Sequence, residues 1–121
     1  MSTGERNSKT DVLQGTLDLL VLKTLETMGP LHGWGIARRI EQVSENALFM
    51  NQGTLYPALV RLEQRGWIRS KWGISDNQRR ARFYALTAGG KKQLHAEEAR
   101  WDRISAIVGR IRQPLPEEGA P

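Results

Sequence analysis

The sequence predicts a mostly α chain with a small β-hairpin: three helices, a basic hairpin and a long last helix. Three observations predict it. Apolar residues recur at spacings of three and four through most of the 121 residues. One stretch instead alternates, is rich in β-formers and turns through Ser75-Asp76-Asn77-Gln78. The last segment carries apolar residues spaced by seven.

The first helix is expected from Asp11 to Met28. Asp11 can cap it, with Gln14 three residues on as in a capping box. Leu13, Leu17, Leu20 and Met28 lie on one face, and Val12, Leu19 and Leu22 on another. A helix apolar on two faces is buried from two sides, and in so small a chain the second side is expected to meet another subunit. Gly29-Pro30 ends it. Gly33 to Ser44 is a second helix, with Ile36, Ile40 and Val43 inward. Asn51 to Arg65 is a third, with Leu55, Leu59 and Leu62 inward and Gly66 as its stop. Its outer face shows Gly53, Thr54, Pro57, Arg61 and Gln64: polar, with a glycine and a proline that let backbone come close to something.

Trp67 to Ile74 and Ala81 to Leu86 are the hairpin strands, flanked by Arg79, Arg80 and Arg82. Thr87 can cap the last helix, which runs to about Arg112 with Gly89-Gly90 as its weak point. Leu94, Trp101 and Val108 are spaced by seven, and Ile104 and Ile111 follow the last two by three. That is an a/d seam over about two heptads, expected to pair two subunits rather than to fold back within one. Residues 1–10 and 113–121 are polar, small or proline-rich and are expected as disordered tails. Residues 11–86 then form one folded unit and 87–112 a dimerisation helix.

The net charge of +5 is localised. Between Arg61 and Tyr84 there are seven bases against two acids, and the rest of the chain balances to zero. Such clustering points to a polyanion, nucleic acid before an anionic membrane, because the window has no amphipathic helix with a clean apolar face. With no cysteine, no disulfide is available and a reducing compartment is the natural reading. No apolar run is long enough for a membrane span, and no signal-peptide pattern follows Arg6 and Lys9. Neither Gly-x-Ser-x-Gly nor a P-loop occurs, so nothing asks for an enzyme. The only histidines, His32 and His95, are read as structural or exposed, with no metal site and no cofactor.

Three helices, a basic hairpin and a long helix are the order of a winged helix-turn-helix plus a C-terminal dimerisation helix. The third helix would enter a major groove, and the hairpin would be the wing, its cations on phosphates or in a minor groove.

The residues themselves resemble the PadR family of transcriptional regulators. Leu13-Gln14-Gly15-Thr16-Leu17-Asp18-Leu19-Leu20-Val21-Leu22 is similar to the family's opening. So is His32-Gly33-Trp34-Gly35-Ile36-Ala37, where the family usually has tyrosine in place of Trp34. Gly53-Thr54-Leu55-Tyr56-Pro57-Ala58-Leu59-Val60-Arg61-Leu62-Glu63 looks like its recognition-helix signature, and Arg79 to Thr87 like its wing and following strand. A single last helix resembles the family's short subfamily. The resemblance implies a cytoplasmic, homodimeric regulator of double-stranded DNA, usually a repressor, released from its operator by a signal. It implies DNA contact by Gln52, Thr54, Tyr56 and Arg61 from the third helix, with Lys71, Arg79, Arg80 and Arg82 as wing candidates. Two subunits would read an inverted repeat, with Gln52 or Thr54 on base edges. Some family members bind planar ligands between subunits, which makes Trp101 a candidate site for a flat aromatic effector as well as a packing residue.

Each of these has a plainer reading. Tyr56 either packs on the second helix or bonds the nucleic acid. Arg61 either meets a phosphate or partners Glu63 or Gln64. At least one of Arg79 and Arg80 should face DNA. Leu94, Trp101, Ile104, Val108 and Ile111 either form the dimer interface or an intramolecular face. The rival functions are a winged-helix protein–protein module that binds no DNA, disfavoured by the cationic wing, and a small enzyme. A MarR-like regulator would need a longer chain with helices on both sides of the DNA-binding unit.

Overall fold

In a computed structural model, residues 3–48 and 50–115 are described, with side chains from Gly15 onward. The elements are α1 (Thr3–Met28), β1 (Leu31–His32), α2 (Gly33–Val43), α3 (Gln52–Gln64), β2 (Ile68–Ile74), β3 (Arg80–Leu86) and α4 (Ala88–Arg112). The strands form one antiparallel sheet in the order β1-β3-β2.

Helix α1 begins at Thr3 rather than Asp11. Thr3 to Thr10, within the expected disordered tail, are therefore helical, and Asp11 is mid-helix rather than a cap. No proline interrupts this stretch, Arg6 and Lys9 are good helix formers, and Glu5 sits in the first turn where the helix dipole favours an acid. The side chains of Val12 and Leu13, and residues 116–121 of the expected C-terminal tail, lie outside what is described.

The core is built from all four helices: Leu17, Val21, Leu22 and Leu25 of α1, Ile36 and Ile40 of α2, Leu55, Leu59 and Leu62 of α3, and Leu94 of α4, closed by Ile68 and Tyr84 from the sheet. Each fully buried aliphatic side chain contributes about 1.5–3 kcal/mol of transfer free energy. Two residues expected inside are not: Met28 is 48% and Val43 59% exposed. Both stand at helix ends, past the last turn covered by a neighbour.

Each of α2, α3 and α4 starts on a side-chain cap. His32 Nδ1 accepts from the Gly35 N–H at 2.9 Å, Asn51 Oδ1 from the Thr54 N–H at 2.9 Å, and Thr87 Oγ1 from the Gly90 N–H at 3.0 Å. Helix α3 stops at Gly66, whose φ of 77° lets the Trp67 N–H return to the Leu62 carbonyl at 3.1 Å. The two-residue strand β1 was not visible in the sequence, because it pairs only with Phe83 and Tyr84 of β3.

The glycine pair read as a weak point of the last helix has a packing role. A Cβ on Gly90 would stand 1.9 Å from the Trp67 carbonyl oxygen. Only glycine lets α4 start against the chain entering β2, where the Thr87 hydroxyl also donates to the Gly66 carbonyl at 2.6 Å.

Candidate nucleic-acid interface

The wing turns through Ser75 to Arg79. The Ser75 N–H donates to the Arg79 carbonyl at 2.8 Å and the Gln78 N–H to the Ser75 carbonyl at 2.9 Å, with Gln78 in the left-handed region at φ 63°. This turn brings the wing over the N-terminal ends of α2 and α3. Between them lies a groove of about 510 Å³. Its floor is apolar, from Ala37, Leu55, Leu59 and Tyr84, and its walls carry Trp34, Gln52 and Tyr56 on one side and Arg79, Arg80 and Arg82 on the other. Burial raises the Tyr84 hydroxyl above the ordinary phenol pKa, so it remains a protonated donor at neutral pH.

Five of the eight DNA candidates therefore converge: Gln52, Tyr56, Arg79, Arg80 and Arg82. They differ in freedom. Among the described residues no acid pairs with the Arg79 or Arg80 guanidinium, and Arg80 stacks on the Trp72 ring with its Cζ 4.7 Å from the centroid. Arg82 is held: its Nε donates to Ser70 Oγ at 2.8 Å, Ser70 donates to Glu63 Oε2 at 2.7 Å, and Arg82 Nη2 lies 3.8 Å from that carboxylate. This chain ties the wing to the last turns of α3. Tyr56 is 54% exposed, so it does not pack away against α2.

Three candidates do not join the groove. Thr54 is exposed on α3 but outside the lining, and its backbone N–H is used by the Asn51 cap. Lys71 sits at the register position opposite Phe83, one residue out of phase with the Ser70, Trp72, Arg80 and Arg82 positions, and so lies on the other face of the hairpin. Arg61 is engaged elsewhere. Its Nη2 donates to Asp18 Oδ1 at 2.6 Å, and both side chains are mostly covered. Neither Glu63 nor Gln64 is its partner. Asp18 is 43 residues away, so nothing local in the sequence pointed to it. Arg61→Ala and Asp18→Asn are each expected to cost on the order of 1–2 kcal/mol of stability in chemical denaturation, between an exposed and a buried ion pair. Arg61→Ala is expected to leave the salt slope of DNA binding unchanged; a slope reduced by about one phosphate would put Arg61 on the nucleic acid instead.

The seam on α4 divides. Leu94 has no exposed surface and belongs to the chain's own core, which removes it from the expected dimer interface. Beyond it the helix runs out with Trp101 52%, Ile104 46%, Val108 49% and Ile111 76% exposed, joined by Ile107 at 42%. Among the described residues, none of these side chains belongs to the buried core or packs against it.

Two features go beyond the site residues read from the sequence. Trp34 is 64% exposed on the groove wall, with Arg38 Cζ 5.1 Å over its ring; its place at the start of α2 beside the third helix was the available signal. Glu26, His95 and Glu98 bring three metal-ligating atoms within 4.8 Å of one another. The reading of His95 as structural or exposed did not foresee the two acids beside it. The spacing His95-x-x-Glu98 was legible; the third member comes from α1.

A three-helix unit with a β-hairpin folded over its third helix, followed by one long helix, defines a winged helix-turn-helix of the DNA-binding class. The profile described as the transcriptional regulator PadR-like family matches residues 21–96, more than half of the chain. The chain belongs to that family. It is similar to a transcriptional regulator from Clostridium thermocellum, with 26% identity, a TM-score of 0.74 and coverage of 85% of this chain and 99% of that one. It is similar to a PadR family transcription regulator from a hypervirulent Clostridium difficile, with 30% identity, a TM-score of 0.68 and coverage of 80% and 98%. It is 27% identical over 108 residues to an uncharacterized protein X from Lysinibacillus sphaericus, covering 88% of this chain and 97% of that protein. It is 38% identical over 100 residues to an uncharacterized 37.1 kDa transposon protein from Streptomyces fradiae, of which the chain spans 26%. The family and these solved structures are transcription regulators rather than enzymes. No helix among the described residues is long and apolar enough to cross a membrane.

Proposed function

We propose that the protein is a homodimeric transcriptional repressor acting in the cytoplasm, which binds an inverted-repeat operator through two α3 helices and two wings and leaves it on a signal. The observation that carries this reading is the groove, which Gln52 and Tyr56 line together with Arg79 and Arg80, two cations that no acid pairs among the described residues. Cations on the wing take phosphates and fix the register, while Gln52, first in α3, reaches base edges with an amide suited to adenine.

Binding to duplex operator DNA is expected to fall steeply with salt, by about 0.9 in log K against log salt for each phosphate neutralised. The double variant Arg79→Ala/Arg80→Ala is expected to flatten that slope by up to about 2 and to weaken all sequences alike. Gln52→Ala is expected to relax a single base position instead, by roughly 1–3 kcal/mol of discrimination. Fluorescence anisotropy across a salt series checks both. A double variant with unchanged affinity and slope would take the wing off the DNA.

The second part of the proposal concerns the subunit contact and the signal. The stripe from Trp101 to Ile111 suits a second copy of the same helix, since a 25-residue helix with an apolar seam left about half exposed or more is stabilised by pairing. Two Trp101 rings brought near a dimer axis would form a slot for a flat aromatic effector, and the effector would act through its different affinity for two subunit arrangements. Calorimetry with planar aromatic compounds is expected to give heat with the native chain and none with Trp101→Ala, while the variant keeps operator binding. Equal heats from both proteins would move the pocket elsewhere.

A further inference from the structure

Helices α1 and α4 are joined by a polar cluster that the groove does not use. His95 Nε2 lies 2.9 Å from Glu26 Oε2. Lys23 Nζ lies 3.1 Å from Glu26 Oε1 and 2.8 Å from Glu98 Oε2. The two carboxylates thus already converge on one cationic centre, with an imidazole nitrogen beside it. We propose that Glu26, His95 and Glu98 form a zinc site that staples α4 to α1, with the Lys23 ammonium as its built-in competitor.

The donor set carries the choice of metal. One imidazole and two carboxylates suit Zn²⁺, which takes nitrogen and oxygen ligands at about 2.0–2.2 Å and leaves a fourth position for water. Calcium and magnesium favour all-oxygen sets. His95 and Glu98 stand three apart on one helix face, and Glu26 faces them from α1, so two packed helices preorganise the three donors. A spread of 4.8 Å closes onto a common ion by small rotations of the side chains. His95 is 55% exposed, which gives the ion a way in, and Lys23 is 45% exposed, which gives its ammonium a way out to water. The bonds from His95 and Lys23 hold the Glu26 carboxyl below the usual carboxylate range, so it is an ionised ligand at neutral pH. A doubly charged ion would replace a singly charged one between two carboxylates.

The test is zinc chloride titrated into the full chain after chelator treatment, followed by calorimetry and thermal melting. One ion per chain and a rise in Tm are expected. His95→Ala and Glu98→Gln are each expected to weaken binding at least tenfold, and magnesium to give no effect. Lys23→Met separates a metal site from a mere ion-pair network. A metal site predicts tighter zinc binding in Lys23→Met, because the competitor is gone. A network without metal predicts a lower Tm in that variant and no gain in zinc affinity, and that result would overturn the proposal. So would zinc binding that survives unchanged in His95→Ala. These three side chains are all partly exposed, and the circular dichroism of each variant serves as the check on folding.

Discussion

Ile104→Asp is expected to turn a dimer of the 13.7 kDa chain into a monomer and to abolish operator binding at working concentrations. Ile104 lies mid-stripe, between Trp101 and Val108, and is 46% exposed in the single chain. A carboxylate there would be harmless in a monomer but would be buried without a partner in a paired seam. Burying an unpaired charge costs several kcal/mol, enough to dissociate an interface of this kind. Operator binding then loses its second half-site, and avidity of about 10²–10⁴ goes with it. Sedimentation at micromolar concentration, with circular dichroism to show an intact fold, checks the first part. Footprinting checks the second, where the native chain should protect two half-sites spaced by one helical turn or a multiple of it. A variant that stays dimeric would place the subunit contact away from α4.

Gly90→Ala is expected to have the largest effect on stability. The added methyl carbon would sit 1.9 Å from the Trp67 carbonyl oxygen, 2.8 Å from its carbon and 2.9 Å from Leu86 Cδ1. That carbonyl is fixed: it accepts the Thr87 N–H at 3.1 Å, and the Trp67 N–H is itself bonded to the end of α3. Relief requires α4 to move off the sheet, which pulls Leu94 from the core. Overpacking of this severity costs about 3 kcal/mol or more, a fall in Tm of roughly 10–20 °C for a domain of this size. Gly89→Ala is the control. Its nearest neighbours would be 3.8 Å away, so helix propensity alone acts, and the change is expected to be neutral or stabilising by up to about 1 kcal/mol. Equal melting temperatures for the two variants would show that α4 does not start against Trp67.

Much of the architecture was legible because its causes are local. The spacing of Ile36 and Ile40, and of Leu55, Leu59 and Leu62, specifies helices with one buried face whatever they pack against. Thr87 caps a helix through a bond to a backbone N–H three residues on, and Ser75 to Gln78 turn on their own. The basic window is a property of composition, and five of the eight residues read as DNA contacts do meet in one groove.

Other features depended on which distant residue arrives, and periodicity carries no information about that. Arg61 lies on the outer face of α3 by spacing alone, yet Asp18 of α1 captures it. Leu94 continues the heptad of Trp101 and Val108, yet the core claims it, because near its start α4 packs against the other helices and the sheet. The alternation that defines the hairpin does not say which face turns toward α3. It is the docking of Tyr84 and Ile68 into the core that puts Arg80 and Arg82 at the groove and Lys71 on the other side. The sequence by itself determined the helices, the hairpin and the charge of the wing, since these follow from contacts a few residues apart. The tertiary structure alone decided the partners of Arg61, Arg82 and His95 and the need for Gly90, since each depends on a contact across the fold, set by how α1, α3 and α4 pack.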